Sequence, residues 1–296
     1  MKKRTVIIMT SFLLFGCGPK VSNETPTTES LIIGGPSGNE LALKQVFRKN
    51  NGSDPGTLDP HRAEGVPASN VLRDLYEGLV SEAANGDYIP GVAESWSISE
   101  DGRTYRFKIR EEAIWSNGDR VVAEDFVFSL RRSVDPKTLS NYSSMLYPIK
   151  NARDVVLGKL PTDMLSVSAE NEKTLVIELE EPTPYFISLL THSTTYPVHP
   201  PSVKEYGTSF TRPENMISNG AFTLKDWRIQ DYILLERNEK YWDNPSTTLS
   251  QVYYYPLDNP DASLRRYRAN ELDFTDTTPS EQLPWIKKNL KDELKI

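Results

Sequence analysis

Apolar positions along this chain recur with two different periods, and the period switches repeatedly from Leu41 onward. "LKQVFRKNNG" has a strand pattern that runs into an Asn-Gly turn signal. In "SNVLRDLYEGLVS", Val71, Leu72, Leu75, Tyr76 and Leu79 recur at helical spacing, which predicts a helix capped by Ser69 or Asn70. Polar and apolar residues alternate from Arg103 to Arg110, the pattern of a half-buried strand. Val122, Phe126, Val127 and Leu130 then fall on one helical face. "KTLVIELEEPTPYFISLLT" predicts a strand, a proline-marked break and a short helix. "YILLERNEKYW" and "LSQVYYYPL" predict two more strands. "DASLRRYRANELDFTD" predicts a helix ending near Asn270, with a strand after it. Strands interleaved with helices make the fold class α/β or α+β, and periodicity does not choose between them.

Composition narrows the function more than the fold. A length of 296 residues suggests two domains at roughly 150 residues each. Hydrophobic residues are 38% of the chain, enough for a packed core, and charged residues are 25%, an ordinary globular surface. The net charge of −7 lacks the basic footprint of a nucleic-acid binder. The three histidines, His61, His192 and His199, form no HExxH or His-x-His pattern, and there is no G-x-S-x-G. Glu111-Glu112 and Glu180-Glu181 are adjacent pairs. In strands such neighbours point to opposite faces, which suits solvated charge better than acid/base chemistry. Tyr253, Tyr254 and Tyr255 could stack a sugar, but strand geometry favours core packing for Tyr254 and a surface wall for its neighbours. The reading is not an enzyme, with no metal and no cofactor.

The amino terminus opens with Lys2, Lys3 and Arg4 ahead of an apolar run, Thr5 to Phe15. That run is shorter than the about 20 residues needed to span a bilayer. Leu14-Phe15-Gly16-Cys17 resembles the bacterial lipoprotein lipobox, which implies a signal peptide over 1–16 and a lipid on Cys17. Cys17 is the single cysteine, so it has no disulfide partner in the chain. The alternative is an ordinary secretory signal with an incidental cysteine. Residues 17–43 are rich in Ser, Thr, Pro, Gly and Asn and read as a flexible tether. "GGPSGN" lacks the Gly-Lys-Ser/Thr of a phosphate loop. The expected location is the periplasm or cell surface, anchored to a membrane by the lipid.

Several blocks together carry a family resemblance. Ala93-Glu94-Ser95-Trp96, Asp101-Gly102, "YRFKIR", Trp115-Ser116-Asn117-Gly118 and Ala123-Glu124-Asp125-Phe126 follow in order. This region is similar to the signature of the dipeptide- and oligopeptide-type solute-binding proteins of ABC importers. "NNGSDPGTLDPHRAEGVPASNVLRDLYEGL", "NMISNGAFTLKDW" and "ERNEKYWDN" resemble the oligopeptide-binding branch. From the residues alone, Trp96, Trp115 and Phe126 are core anchors, Asn117-Gly118 is a hairpin turn, and Asn219-Gly220 is a tight turn near an interdomain region.

The resemblance implies an α/β periplasmic-binding-protein fold of type II, with two lobes of which one is incomplete. Residues 44–76 and 200–296 would form a discontinuous first lobe, and 77–199 an inserted second domain. The third domain of full-length members has no counterpart before Ile296. The chain would then be a fragment, a truncated gene product or half of a split protein, and would expose apolar surface. The implied function is an extracytoplasmic, lipid-anchored component of an ABC importer, monomeric, binding short peptides through backbone and termini and docking on membrane permease subunits. Glu64, Gly65, Val66, Tyr142 and Thr277 match ligand-facing positions. Pro67 disfavours helix at Val66 and Gly65 permits close approach, so "AEGVP" is expected to present an extended backbone. The alternatives are a non-transport surface lipoprotein, sensor or adhesin, on the same fold, a non-functional fragment, or a haem, nickel-chelate or murein-peptide cargo.

Overall fold

The computed structural model describes residues 32–33, 41–42, 44–291 and 293–294. It separates into two compact units, Met1–Leu43 and Lys44–Ile296. The signal peptide expected at 1–16, Cys17 and most of the 17–43 stretch lie outside the described residues. Within the first unit, β1 (Ile32–Ile33) pairs antiparallel with β2 (Leu41–Ala42). Among the described residues no helix is long and apolar enough to cross a membrane.

The second unit begins with β3 (Val46–Asn50), followed by α1 (Gly65–Leu75). Next come β4 (Val80–Glu82), β5 (Tyr88–Pro90), β6 (Ala93–Ile98) and β7 (Thr104–Ile109). They lead to α2 (Ala123–Val134), α3 (Ala152–Val156), β8 (Val167–Asn171) and β9 (Thr174–Glu178). After α4 (Phe186–Leu189) and α5 (Pro200–Tyr206) come β10 (Phe222–Arg228), β11 (Tyr232–Arg237) and β12 (Gln251–Tyr255). The last helices are α6 (Pro260–Arg268) and α7 (Leu283–Asn289).

Two four-stranded sheets organise this unit. One has the order β10-β11-β12-β3, antiparallel except for the parallel pair β12–β3. Its inward positions, Phe222, Leu224, Ile233, Leu235, Val252 and Tyr254, are buried. α1 packs on this sheet, with Ala68, Val71, Leu72 and Leu75 buried. The Tyr254 hydroxyl fixes that packing, 2.6 Å from Asp74 Oδ2 and 3.2 Å from the Asn70 carbonyl. The other sheet, β6-β7-β9-β8, is wholly antiparallel. Tyr105, Phe107, Ile109, Leu175 and Ile177 are buried there, and α2 packs on β8 and β9 through a stripe that includes Phe126, Val127 and Leu130.

Several signature residues have architectural roles. Trp115 is fully buried and its indole N–H donates to Asp125 Oδ2 at 3.0 Å. The same oxygen accepts from the Val122 amide at 3.1 Å and so holds the first turn of α2. Burial raises the Asp125 carboxyl above its ordinary value against those two bonds. Phe126 is fully buried, whereas Trp96 is only partly so. Asn117-Gly118 makes the expected turn, with φ of 104° at Gly118 and Trp115 bonded to Asp119 at 2.8 Å. The strand expected after Asn270 is reduced to one parallel bridge, Phe274 with Lys49.

Asn219-Gly220 adds to its expectation. Gly220 has no positive φ, lies in a bend, and also marks a crossing of two backbones. A Cβ there would lie 2.7 Å from Asp74 O, Leu75 C and Tyr76 N. The Gly220 amide donates to Leu75 O at 2.9 Å. Asn219 brackets Glu77, accepting from its amide at 3.2 Å and donating to its carbonyl at 2.9 Å. Here the chain leaving α1 for the second sheet passes the chain arriving at β10. Gly220→Ala is therefore expected to cost about 1–3 kcal/mol through overpacking. Gly56→Ala, where nothing lies within 4 Å, is expected to stay within about 0.5 kcal/mol. Urea unfolding of both variants compares them, and equal costs would refute the crowding argument.

Candidate functional site

The segment ahead of α1 is held by a buried polar cluster. Asp59 is 3% exposed and accepts two bonds from Arg132 of α2, at 2.9 and 2.6 Å. Its carbonyl accepts from the Arg62 and Ala63 amides, and its side chain from the His61 amide. Arg132 Nη1 also lies 2.8 Å from His61 Nδ1, and His61 Nε2 lies 2.9 Å from the Tyr196 carbonyl. A guanidinium only donates, so Nδ1 is the acceptor and the proton sits on Nε2, donating to Tyr196. Burial opposes the charge on Asp59, but the bonds and charge of Arg132 outweigh it and hold the carboxyl below its ordinary value. Burial first, and then the charge of Arg132, push His61 down to about 4.

Beyond this clamp, Glu64 is extended, with φ −130° and ψ 150°, and caps α1 in position without a side-chain bond. Gly65 takes a left-handed φ of 79°, which a residue with a Cβ adopts only at a cost. Val66 lies in the first turn of α1 and is 66% exposed. The extended backbone expected across "AEGVP" is thus confined to Glu64, and the helix starts four residues before Ser69. Proline is tolerated in a first turn, where its missing N–H has no intrahelical acceptor anyway. Tertiary bonds overrule the local preference at Val66: Asn51 Nδ2 donates to the Pro67 carbonyl and Asn70 Nδ2 to Asn51 Oδ1, both at 3.0 Å.

A cavity of about 210 Å³ opens at this helix start, lined by Ala63, Gly65, Val66, Ser69, Tyr142, His192 and Ser193. Gly65, Val66 and Tyr142 therefore meet, although Tyr142 is distant in sequence. Glu64 is exposed beside the cavity without lining it. Thr277 does not join them. It is exposed, its carbonyl accepts from Thr275 Oγ1 at 2.9 Å, and the neighbouring Asp276 amide donates to Asn50.

His192 is the residue that sequence reasoning missed. Its ring meets Tyr142 edge-on at 4.8 Å. Nδ1 accepts from the Thr194 amide at 3.2 Å, which leaves the neutral ring's proton on Nε2. Burial and the charge of Arg73 hold its pKa below the ordinary value. Nothing near His192 in sequence signals this role, because Tyr142 and the start of α1 come from distant parts of the chain.

The cavity lining combines the small or apolar Ala63, Gly65 and Val66 with the polar Ser69, Tyr142, His192 and Ser193. In the first turn of α1 the Gly65 and Val66 amides have no acceptor in their own helix, Pro67 carries no N–H, and the helix end carries partial positive charge. A neutral His192 adds an N–H. These groups suit carbonyl or carboxylate oxygens. A second cluster, Asp119–His199–Ser202, imitates a catalytic triad at 3.0 and 2.7 Å. Ser202 is 4% exposed and its own amide also donates to His199 Nδ1, so the arrangement caps α5.

Comparison with known proteins places the chain. The profile of the bacterial extracellular solute-binding proteins, family 5 (middle), matches residues 87–295, and the chain belongs to this family. Over 264 residues it is 43% identical to the periplasmic oligopeptide-binding protein OppA of Escherichia coli K12, covering 88% of this chain and 48% of that one. It is likewise 43% identical over 263 residues to the probable deoxycholate-binding periplasmic protein YgiS of the same organism, covering 88% and 49%. The crystal structure of Haemophilus influenzae OppA in complex with RPPGFSPFR matches with a TM-score of 0.82 and 41% identity, over 84% of this chain and 49% of that one. The fold is thus α/β, of the type II periplasmic-binding-protein class, and the chain spans about half the length of these relatives.

The clamp predicts an acid response. His61 and Asp59 both bind protons less readily folded than unfolded. Stability from His61 is present above 6.5 and is lost as pH falls toward about 4. That from Asp59 is lost as pH falls below 3.8. Glu77, raised by burial to about 7, acts with the opposite sign over much of the same range, so the test is the difference in unfolding free energy between wild type and His61→Gln, which should fall as pH falls from 6.5 toward about 4. Arg132→Met, which strands a buried carboxylate, should cost about 3–5 kcal/mol. Urea unfolding against pH measures all three, and a difference that stays constant with pH would remove the role assigned to the imidazole.

Proposed function

We propose that this protein is an extracytoplasmic solute-binding component of an ABC importer that takes short peptides at the start of α1. The observation that carries this reading is the convergence of Gly65, Val66 and Tyr142 on one cavity, with His192 as a further donor. Every peptide shares backbone carbonyls, so donors aimed at them bind without reading side chains. Glu64 lies where a cationic group of the ligand would find a counter-charge. In this reading 44–76 and 200–296 form the first lobe and 77–199 the inserted domain, with the crossing at Gly220 between them. Cys17 carries the lipid, the protein is a monomer, and membrane permease subunits receive the loaded form.

The equal identity to a probable deoxycholate-binding protein favours one second reading, an amphipathic carboxylic acid as cargo. The same donors suit a carboxylate. Titration calorimetry of the full chain with mixed tri- to pentapeptides is expected to show saturable heat. Tyr142→Ala should weaken binding about tenfold, near 1.4 kcal/mol. Heat with deoxycholate and none with peptides would transfer the site to the second reading. Silence with both would reject each of them for this chain.

A further inference from the structure

A larger cavity of about 440 Å³ lies farther along α1, beside the backbone crossing. Its wall includes Arg73, Tyr76, Glu77, Glu82, Tyr196 and Tyr241. Glu77 is partly exposed to it and otherwise enclosed. Each carboxyl oxygen already accepts one bond: Oε1 from the Tyr241 hydroxyl at 2.5 Å, Oε2 from the Trp242 indole N–H at 2.7 Å. A carboxylate offers about four lone-pair sites, so both oxygens keep capacity. Among the described residues no cationic side chain lies within 4.0 Å of this carboxyl. Arg110, whose charge acts on Glu77, makes its own contacts elsewhere. Its guanidinium stacks on the Trp242 ring at 3.9 Å and its Nε donates to the Gly91 carbonyl at 2.7 Å.

The cavity thus combines an acidic group that has no ion pair within 4.0 Å among the described residues with three tyrosines. Aromatic faces beside a carboxylate are the chemistry that holds organic cations. We propose that this cavity is a second binding site, for a primary ammonium or guanidinium group, with Glu77 as its counter-ion. The proposal does not depend on the peptide reading of the smaller cavity, which shares no lining residue with it.

The surrounding charges set its pH behaviour. From α1 come Arg73 and Asp74, the latter already bonded to Tyr254. Glu82 comes from β4, Arg110 follows β7, and Asp243 follows Trp242. Burial outweighs the bonds from Tyr241 and Trp242 and the charge of Arg110, and with Asp243 it raises Glu77 to about 7. At mildly acid pH the carboxyl is therefore largely protonated. Binding a cation then releases that proton to the buffer: Glu77 passes from COOH to COO⁻ as the ammonium enters. Affinity rises with pH through about 7 and levels off above it. Arg73, exposed on the wall, places a like charge beside a cationic guest, and its removal favours the guest.

n-Butylammonium is the probe and n-butanol the uncharged control. The full chain is titrated by calorimetry at mildly acid and mildly alkaline pH, in buffers of low and high ionisation enthalpy. The Trp242 indole N–H, assigned with Trp242→Phe, is followed by NMR. Saturable binding of n-butylammonium alone is expected, with movement of the Trp242 signal and proton release at the acid pH. Glu77→Gln should weaken binding about tenfold and abolish the proton release, and Arg73→Gln should tighten it about threefold. An unmoved Trp242 signal with n-butylammonium overturns the proposal, as does undiminished binding by a folded Glu77→Gln. If Glu77→Gln does not fold, Arg73→Gln decides, since its residue is exposed, and failure to tighten overturns the proposal equally.

Discussion

The contact of two backbones at Gly220 constrains how α1 meets the strand that returns beside it. The chain leaves the first sheet at the end of α1 and returns at β10, and the two passages touch where Gly220 lacks a Cβ. Asn219 bonds to both backbone groups of Glu77, and Asn238 donates to the Gly220 carbonyl at 2.9 Å. Backbone polar groups buried at such a crossing must be satisfied, and two asparagine side chains do it. Because α1 ends at this crossing, its position relative to the second sheet is fixed there. The larger cavity beside the end of α1 is lined by Gly220 itself and takes its geometry from this contact.

The other end of α1 is fixed by charge. An ion pair as deeply buried as Asp59–Arg132 gains little net stability over a well-packed apolar pair. What it supplies is direction. Arg132 belongs to α2, Asp59 to the segment before α1, and the His61 bond reaches the Tyr196 carbonyl. Three separate parts of the chain are thereby held at angles that hydrophobic contact alone leaves loose. The start of α1, Tyr142 and His192 meet in one cavity on this frame.

Much of the framework was legible in the sequence. Alternation located β7, β11 and β12, and helical periodicity located α2, because each buries one face and keeps the other wetter. Other features resisted. Pro67 argued for extended backbone at Val66, yet α1 begins at Gly65, since Asn51 supplies bonds that outweigh the preference. Glu77 sits in an ordinary-looking helix end, and only the approach of Tyr241 and Trp242 gives its carboxyl a site.

By itself, then, the amino-acid order located the strongly periodic strands and helices, the architectural role of Trp115 and Phe126, and the family to which the chain belongs. Those properties depend on neighbours a few residues apart or on an ordered motif. Tertiary structure alone decided that Gly65, Val66 and Tyr142 share a cavity while Thr277 does not, that His192 joins them, and that Gly220 marks a crossing. Each of these is a contact between distant segments, and a distance in space leaves no trace in local periodicity.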